Sequence, residues 1–304
     1  MALSLTILGS NASVPAHNRN QTAQLLNMMQ VPFLIDCGEG TQLQLKKYKF
    51  KAQKIDHIFI SHLHGDHYYG LMGLISSMHL YGRQKDLNIY CPPGLKEIIS
   101  INLKNSQTFL NYKINLTEWT PGSHELLFEN QHLTVHSFPL NHRINCSGFL
   151  FREKAKKRRI DKNKLTENVS PQVIIKLKNG EDILDDDGNV KYANDHYTQS
   201  PSPSVSYAFC SDTKYDESII EYIKGIDLLY HESTFMNDMQ DRAAVTFHST
   251  AEQAGTIAKK AKVKKLLIGH FSTRYKELEP MLSEAKNAFS NTELALEGVE
   301  FEVK

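Results

Sequence analysis

The chain is poor in the features that announce a secreted, membrane or redox protein. It has four cysteines and one tryptophan in 304 residues, and its net charge is only +1. No apolar run approaches the roughly 20 residues of a membrane helix, and the start MALSLTILGSNASVP lacks the basic flank and cleavage pattern of a signal peptide. No membrane association and a cytoplasmic location are therefore expected. Cys37, Cys91, Cys146 and Cys210 stand far apart, mostly at the ends of apolar runs and without a CxxC pair. That spacing argues against a disulfide framework or a thiolate zinc site and for buried, reduced thiols. There is no internal repeat and no low-complexity tract. A composition of 40% hydrophobic and 23% charged residues excludes a fibrous or wholly disordered chain. One large domain over residues 1–304 with one insertion is the expected organisation.

What is present is a series of short β-branched and apolar runs: LSLTILGS, VPFLIDCGE, HIFISHLH, LNIYCPP, HLTVHSFPL, SYAFCSD, IDLLYHES and KKLLIGHFS. These read as strands. Helical patterns lie between several of them, at Gly70–Tyr81, Gly94–Leu103, Asp216–Ile223, Thr250–Ala261 and Glu277–Ala288. The chain is thus α/β, of the α+β type. Its composition changes abruptly between Arg152 and Pro203, where Val173–Leu177 with Asn179-Gly180 reads as a strand and turn, and Asp186-Asp187-Gly188 as a turn. Trp119 is expected to serve packing, and Gly38-Glu39-Gly40-Thr41 to turn the chain beneath the functional site.

Fourteen histidines carry the chemical signal. Ser61-His62-Leu63-His64-Gly65-Asp66-His67 follows the apolar Ile58-Phe59-Ile60. His62 and His64, two apart at a strand end, project from one face toward a single ion. Gly65 allows a sharp turn, so Asp66 and His67 can address a second ion. Two ions need more ligands than one loop holds, and three later strands end in suitable groups: His142, Asp212 and His270. Imidazole and carboxylate without thiolate fit Zn²⁺ best, although ligand type is read more securely than metal identity, and Mn²⁺ or Fe²⁺ also accept this set. Asp66 can ligate one ion and still orient and deprotonate an attacking water. A proton donor for the leaving group must stand clear of the metals, and His248 of Thr246-Phe247-His248-Ser249 is the candidate.

These segments, with LGSNASVPAHNRN, LIDCGEGTQLQL, PLNHR, SDT, HEST, FHS and GHFS, resemble the metallo-β-lactamase fold and within it the ribonuclease Z family of transfer-RNA 3′-processing endonucleases. The resemblance spans nearly the whole chain. It implies a four-layer αββα metallo-β-lactamase sandwich with an inserted arm over about 152–200. It places one zinc on His62, His64 and His142 and a second on Asp66, His67 and His270, with Asp212 bridging, two Zn²⁺ per chain. It makes His248 the general acid, held by Glu232. It also implies precursor transfer RNA as substrate, cleavage just after the discriminator nucleotide, and a homodimer in which one subunit's arm serves RNA in the other's active site.

From Arg152 to Leu165 the arm holds eight Lys or Arg against two acids, a local charge of +6. Such a segment attracts a phosphate backbone, and Lys156, Lys157, Arg158 and Arg159 are the expected RNA contacts. The arm lacks the family's Gly-Pro loop, so individual contacts do not transfer. Two rival functions share parts of this reading: a small-molecule phosphodiesterase or hydrolase of the same fold, and a nonenzymatic RNA-binding module. HEST, FHS and the basic arm weigh against the first, and the complete ligand set against the second.

Overall fold

The computed structural model describes residues 3–165 and 169–303. Contacts divide the chain into a larger unit, 1–152 with 205–304, and a smaller one, 153–204. Three residues of the expected arm, 166–168, lie outside the described residues.

The larger unit holds two mixed seven-stranded sheets. The first runs in the order Glu300–Val303, Leu3–Gly9, Ala23–Met28, Val31–Ile35, His57–Phe59, Leu87–Cys91, Ile114–Glu118. The second runs Thr292–Leu294, Lys265–Gly269, Leu228–Glu232, Ser206–Cys210, Cys146–Glu153, Leu133–Leu140, Glu125–Glu129. Strands alternate their side chains between two faces, and here both faces are covered. Leu5, Ile7, Phe33, Phe59, Phe149, Tyr207, Phe209 and Leu267 meet in one core between the sheets. Their neighbours Leu34, Ile58, Ala208 and Leu266 face outward into separate helix-covered cores. This is why the strands read as continuous apolar runs. The αββα sandwich expected from the sequence is the observed architecture.

The helix Ala251–Ala261 shows how local sequence sets the outer layer. Thr250 Oγ1 accepts from the Gln253 backbone amide and Gln253 Oε1 accepts in return from the Thr250 backbone amide, a capping box of about 1 kcal/mol. Ala251, Ala254, Ile257, Ala258 and Ala261 then form its buried stripe. At Gly255 an added Cβ would lie 2.7 Å from the Ala285 carbonyl oxygen, so glycine lets the helix Glu279–Ala288 approach closely. All four cysteines are free and buried, and Trp119 is buried with its Nε1 donating to the Ile60 carbonyl at 3.3 Å.

The smaller unit corrects one expectation. Val173–Leu177 belongs to the helix Pro171–Asn179, not to a strand. Ser170 caps its first turn, Pro171 occupies a helix-compatible first position, and Gly180 ends it at φ 93°. These end signals outweigh the β-branched character of Val173, Ile174 and Ile175. Asp185 accepts from the amides of Asp187 and Asn189, which makes 185–189 a turn, as expected, and Gly188 adopts the positive φ of 84° it needs. Among the described residues no helix is long and apolar enough to cross a membrane.

Candidate metal centre

The strand His57–Phe59 delivers the chain to Ser61, and the short helix Gly65–Tyr68 returns it across the sheet ends. His62, His64 and His142 converge there. His64 Nδ1 lies 3.0 Å from His62 Nε2 and 3.1 Å from His142 Nε2. Asp212 Oδ2 stands 3.6 Å and 3.7 Å from the same His62 and His142 nitrogens. Beside them, Asp212 Oδ1 faces His67 Nε2 at 3.3 Å and His270 Nε2 at 3.1 Å. Asp66 Oδ2 completes this second set at 3.4 Å from His67 and 3.6 Å from His270. All seven residues expected as ligands therefore share one place, with the two oxygens of Asp212 divided between two donor sets.

The outward nitrogens fix the tautomers. His67 Nδ1 donates to Asp36 Oδ2 at 2.7 Å, and His142 Nδ1 donates to the Phe247 carbonyl at 3.0 Å. His62 Nδ1 faces the Ser61 hydroxyl at 3.0 Å, and His270 Nδ1 the Thr234 hydroxyl at 2.9 Å. These partners leave Nε2 lone pairs pointing inward, as metal-binding imidazoles require. His67 Nε2 and His270 Nε2 are buried and make no hydrogen bond. Lone pairs of neighbouring imidazoles at about 3 Å repel unless a cation sits between them, so the donor set fits a metal.

The electrostatics of the two donor sets differ. Burial holds His62, His64 and His142 below the ordinary histidine value, favouring the neutral form that ligates. At His67 burial is outweighed by Asp66, Asp212 and Asp36, which raise it well above that value. The carboxyls of Asp66 and Asp212 are held well below theirs by the facing imidazoles, against burial. This half of the site draws positive charge.

Behind it stands a second pair. His248 Nδ1 donates to Glu232 Oε1 at 2.9 Å. Glu232 is fully buried and also accepts from the amides of Thr213, Thr234 and Ser249 and the Thr234 hydroxyl. Burial disfavours the imidazolium, but the charge and hydrogen bond of Glu232 prevail and push His248 up to about 9. His231, beside Glu232 in the chain, is buried with Nδ1 donating to the Glu232 carbonyl at 2.7 Å.

Three contributors escaped the sequence reading. Asp36, fully buried with φ 55°, accepts from the Ser61 amide and hydroxyl as well as from His67. The Ser13 amide donates to Asp66 Oδ2 at 2.8 Å. Thr234 links Glu232 to His270. Asp36 had a usable signal, since it exits the buried strand Val31–Ile35 as Asp212 exits Ser206–Cys210. Ser13 had none. Its loop is held by Asn11 Nδ2 donating to the Val14 carbonyl and Arg19 Nε donating to Asn11 Oδ1, and is tied to distant segments by Arg19 donating to the Tyr275 and Lys276 carbonyls and by Asn20 Nδ2 donating to Glu297 Oε2. The whole constellation opens into a cleft of about 670 Å³ whose floor includes Asp66, His142, Asp212, His248 and His270.

The family described as Anti-Pycsar protein Apyc1 matches residues 3–158. A curated relative named Ribonuclease Z from Cytophaga hutchinsonii is 49% identical over 303 residues, covering 100% of this chain and 97% of that protein. Ribonuclease Z from Bacteroides fragilis is 42% identical, covering 97% of each. Among solved structures, the short form of human tRNase Z superposes with a TM-score of 0.74 at 26% identity over 99% of each chain. The metallo-β-lactamase fold protein YhfI from Bacillus subtilis, at 20% identity and a TM-score of 0.69 over 98% of each chain, shares the fold.

Proposed function

The chain belongs to the ribonuclease Z family, which it matches from end to end, and we propose that it is a metal-dependent endoribonuclease that removes the 3′ trailer of precursor transfer RNA in the cytoplasm. The observation that carries this reading is the pair of donor sets joined by Asp212, with the His248–Glu232 pair in the same cleft.

Two zinc ions are the proposed occupants, one on His62, His64 and His142, the other on Asp66, His67 and His270, with Asp212 shared. Bound there, such a pair supplies Lewis-acid stabilisation of the phosphodiester and a more acidic water. The protein's own groups do the rest. Asp66, aimed by the Ser13 amide, takes the proton of the attacking water. Attack at phosphorus breaks the P–O3′ bond after the discriminator nucleotide, and His248 gives its proton to the departing 3′ oxygen. The products are a 3′ hydroxyl on the transfer RNA and a 5′ phosphate on the trailer. The direct test is purified protein on a trailer-bearing precursor. Cleavage at that junction, abolished by a chelator and restored by zinc, is expected; chelator-resistant cleavage, or none, would refute the reading.

The arm's basic run divides in two. Lys156 pairs with Glu153 at 2.9 Å, and Arg158 donates to Thr198 Oγ1 and Asp195 Oδ1, so both serve the smaller unit. Lys157 and Arg159 are exposed. Their joint replacement by Ala should raise KM for precursor and flatten the salt dependence of log K by about 2. An unchanged salt slope would remove these two from the RNA grip. A homodimer completes the proposal. Leu43, Leu80 and Tyr81, on or beside the helices Thr41–Lys47 and Gly70–Leu80, are each exposed apolar side chains that a second copy would have to cover, and sedimentation velocity on the wild type and on their replacements by Ser checks whether the protein pairs through them.

A further inference from the structure

We propose that Tyr69 is a specificity-determining residue, its ring a stacking platform for an unpaired base beside the scissile phosphate; the inference rests on the endoribonuclease reading above.

Three apolar side chains line the otherwise polar metal cleft, and all three are open to solvent: Val14 at 55% exposure, Tyr69 at 64% and Val245 at 72%. Large apolar groups at a ligand cleft that serve no core are candidates for contact with the ligand. Tyr69 offers the widest flat surface. Its ring lies on Gly65, the residue between His64 and Asp66, so close that a Cβ there would stand 2.2 Å from Tyr69 Cε2. The Tyr68 ring braces it edge-on at a centroid distance of 4.9 Å. The backbone beneath is fixed as well, with the Tyr69 amide donating to the Gly65 carbonyl and the Gly70 amide to the Cys37 carbonyl, each at 2.9 Å.

The ring is therefore oriented before any ligand arrives, which lowers the cost of ordering it on binding. One side rests on Gly65, and the residue, 64% exposed, lines the cleft. A phosphodiester held among the donor sets, which line the same cleft as Tyr69, brings one of its two flanking nucleosides within reach of this ring. A base stacks there only if it is free of a pairing partner, which selects a single-stranded junction. Any base satisfies a stacking face, so the contact fixes position and strandedness without reading sequence.

The test is a cycle between protein and substrate. Precursors carrying an abasic site at one or the other nucleotide flanking the scissile phosphate are cleaved by wild-type protein, Tyr69→Ala and Tyr69→Phe, with metal content measured for each. At one of the two positions, wild type should lose about tenfold in kcat/KM when the base is removed, the order expected for one base–aromatic contact. Tyr69→Ala should lose about tenfold on the intact precursor and little more on that abasic one, while Tyr69→Phe, which keeps the ring, should behave as wild type. Independent, multiplying losses at both positions, or an intact rate in Tyr69→Ala, would overturn the platform. Loss of metal in Tyr69→Ala would overturn it too, making the residue a support of the ligands. If wild-type protein cleaved no precursor at all, the endoribonuclease reading would fall with it.

Discussion

Asp212→Ala should cost the protein metal at both sites together and reduce precursor cleavage by roughly a thousandfold or more, the scale of several kcal/mol of Lewis-acid stabilisation. The expectation follows from how its two oxygens are divided, Oδ2 toward His62 and His142 and Oδ1 toward His67 and His270. Removing it leaves each remaining set one oxygen short and deletes the anion that would offset the two neighbouring cations proposed. His142→Ala removes a donor from one set only, so its metal loss should fall mainly on one ion. Metal analysis by mass spectrometry, beside cleavage rates, separates the two. Full metal content and normal cleavage in Asp212→Ala would make the carboxylate a bystander and sink the bridged arrangement.

His248→Ala should lower precursor cleavage by about 10²- to 10⁴-fold, the usual contribution of a general acid. An activated aryl phosphodiester should suffer far less, because its leaving group needs little protonation. Equal losses on both substrates would assign His248 to phosphate positioning or to the fold. The pH profile gives an independent readout. His248, raised to about 9, is protonated at neutral pH, and that acid is lost as pH rises through the raised value. Glu232→Gln deletes the charge responsible for the rise, so the alkaline limb of precursor cleavage should move to lower pH. Because Glu232 acts through His248, the double variant should lose little beyond His248→Ala alone.

Much of this molecule was legible in one dimension. Strands such as Leu3–Gly9 and Lys265–Gly269 announced themselves because both of their faces are buried, which leaves an unbroken apolar run. The helix Ala251–Ala261 was legible as a helical pattern over Thr250–Ala261. Other elements were hidden. Cys146–Glu153 runs through the middle of the second sheet but begins with Cys-Ser-Gly, where Gly148 is needed because a Cβ would lie 2.3 Å from the Phe138 ring. In Pro171–Asn179, β-branched composition pointed to a strand, and the end signals of a helix prevailed.

The same division holds at the site. The sequence by itself determined which chemistry the site could do. HxHxDH at a strand exit sets imidazoles and a carboxylate at spacings fixed by local backbone geometry, and each of His142, Asp212 and His270 needed only its own strand end to be noticed. Which of these groups face one another was decided by tertiary structure alone. Asp212 stands between the two sets because its strand, Ser206–Cys210, pairs with Leu228–Glu232 on one side and Cys146–Glu153 on the other. Asp36 reaches His67 across the parallel pairing of Val31–Ile35 with His57–Phe59, and the Ser13 amide reaches Asp66 from 53 residues away. Such contacts leave little trace in composition or periodicity, since a carboxylate or a backbone amide acquires its role only from the strands and loops that packing brings beside it.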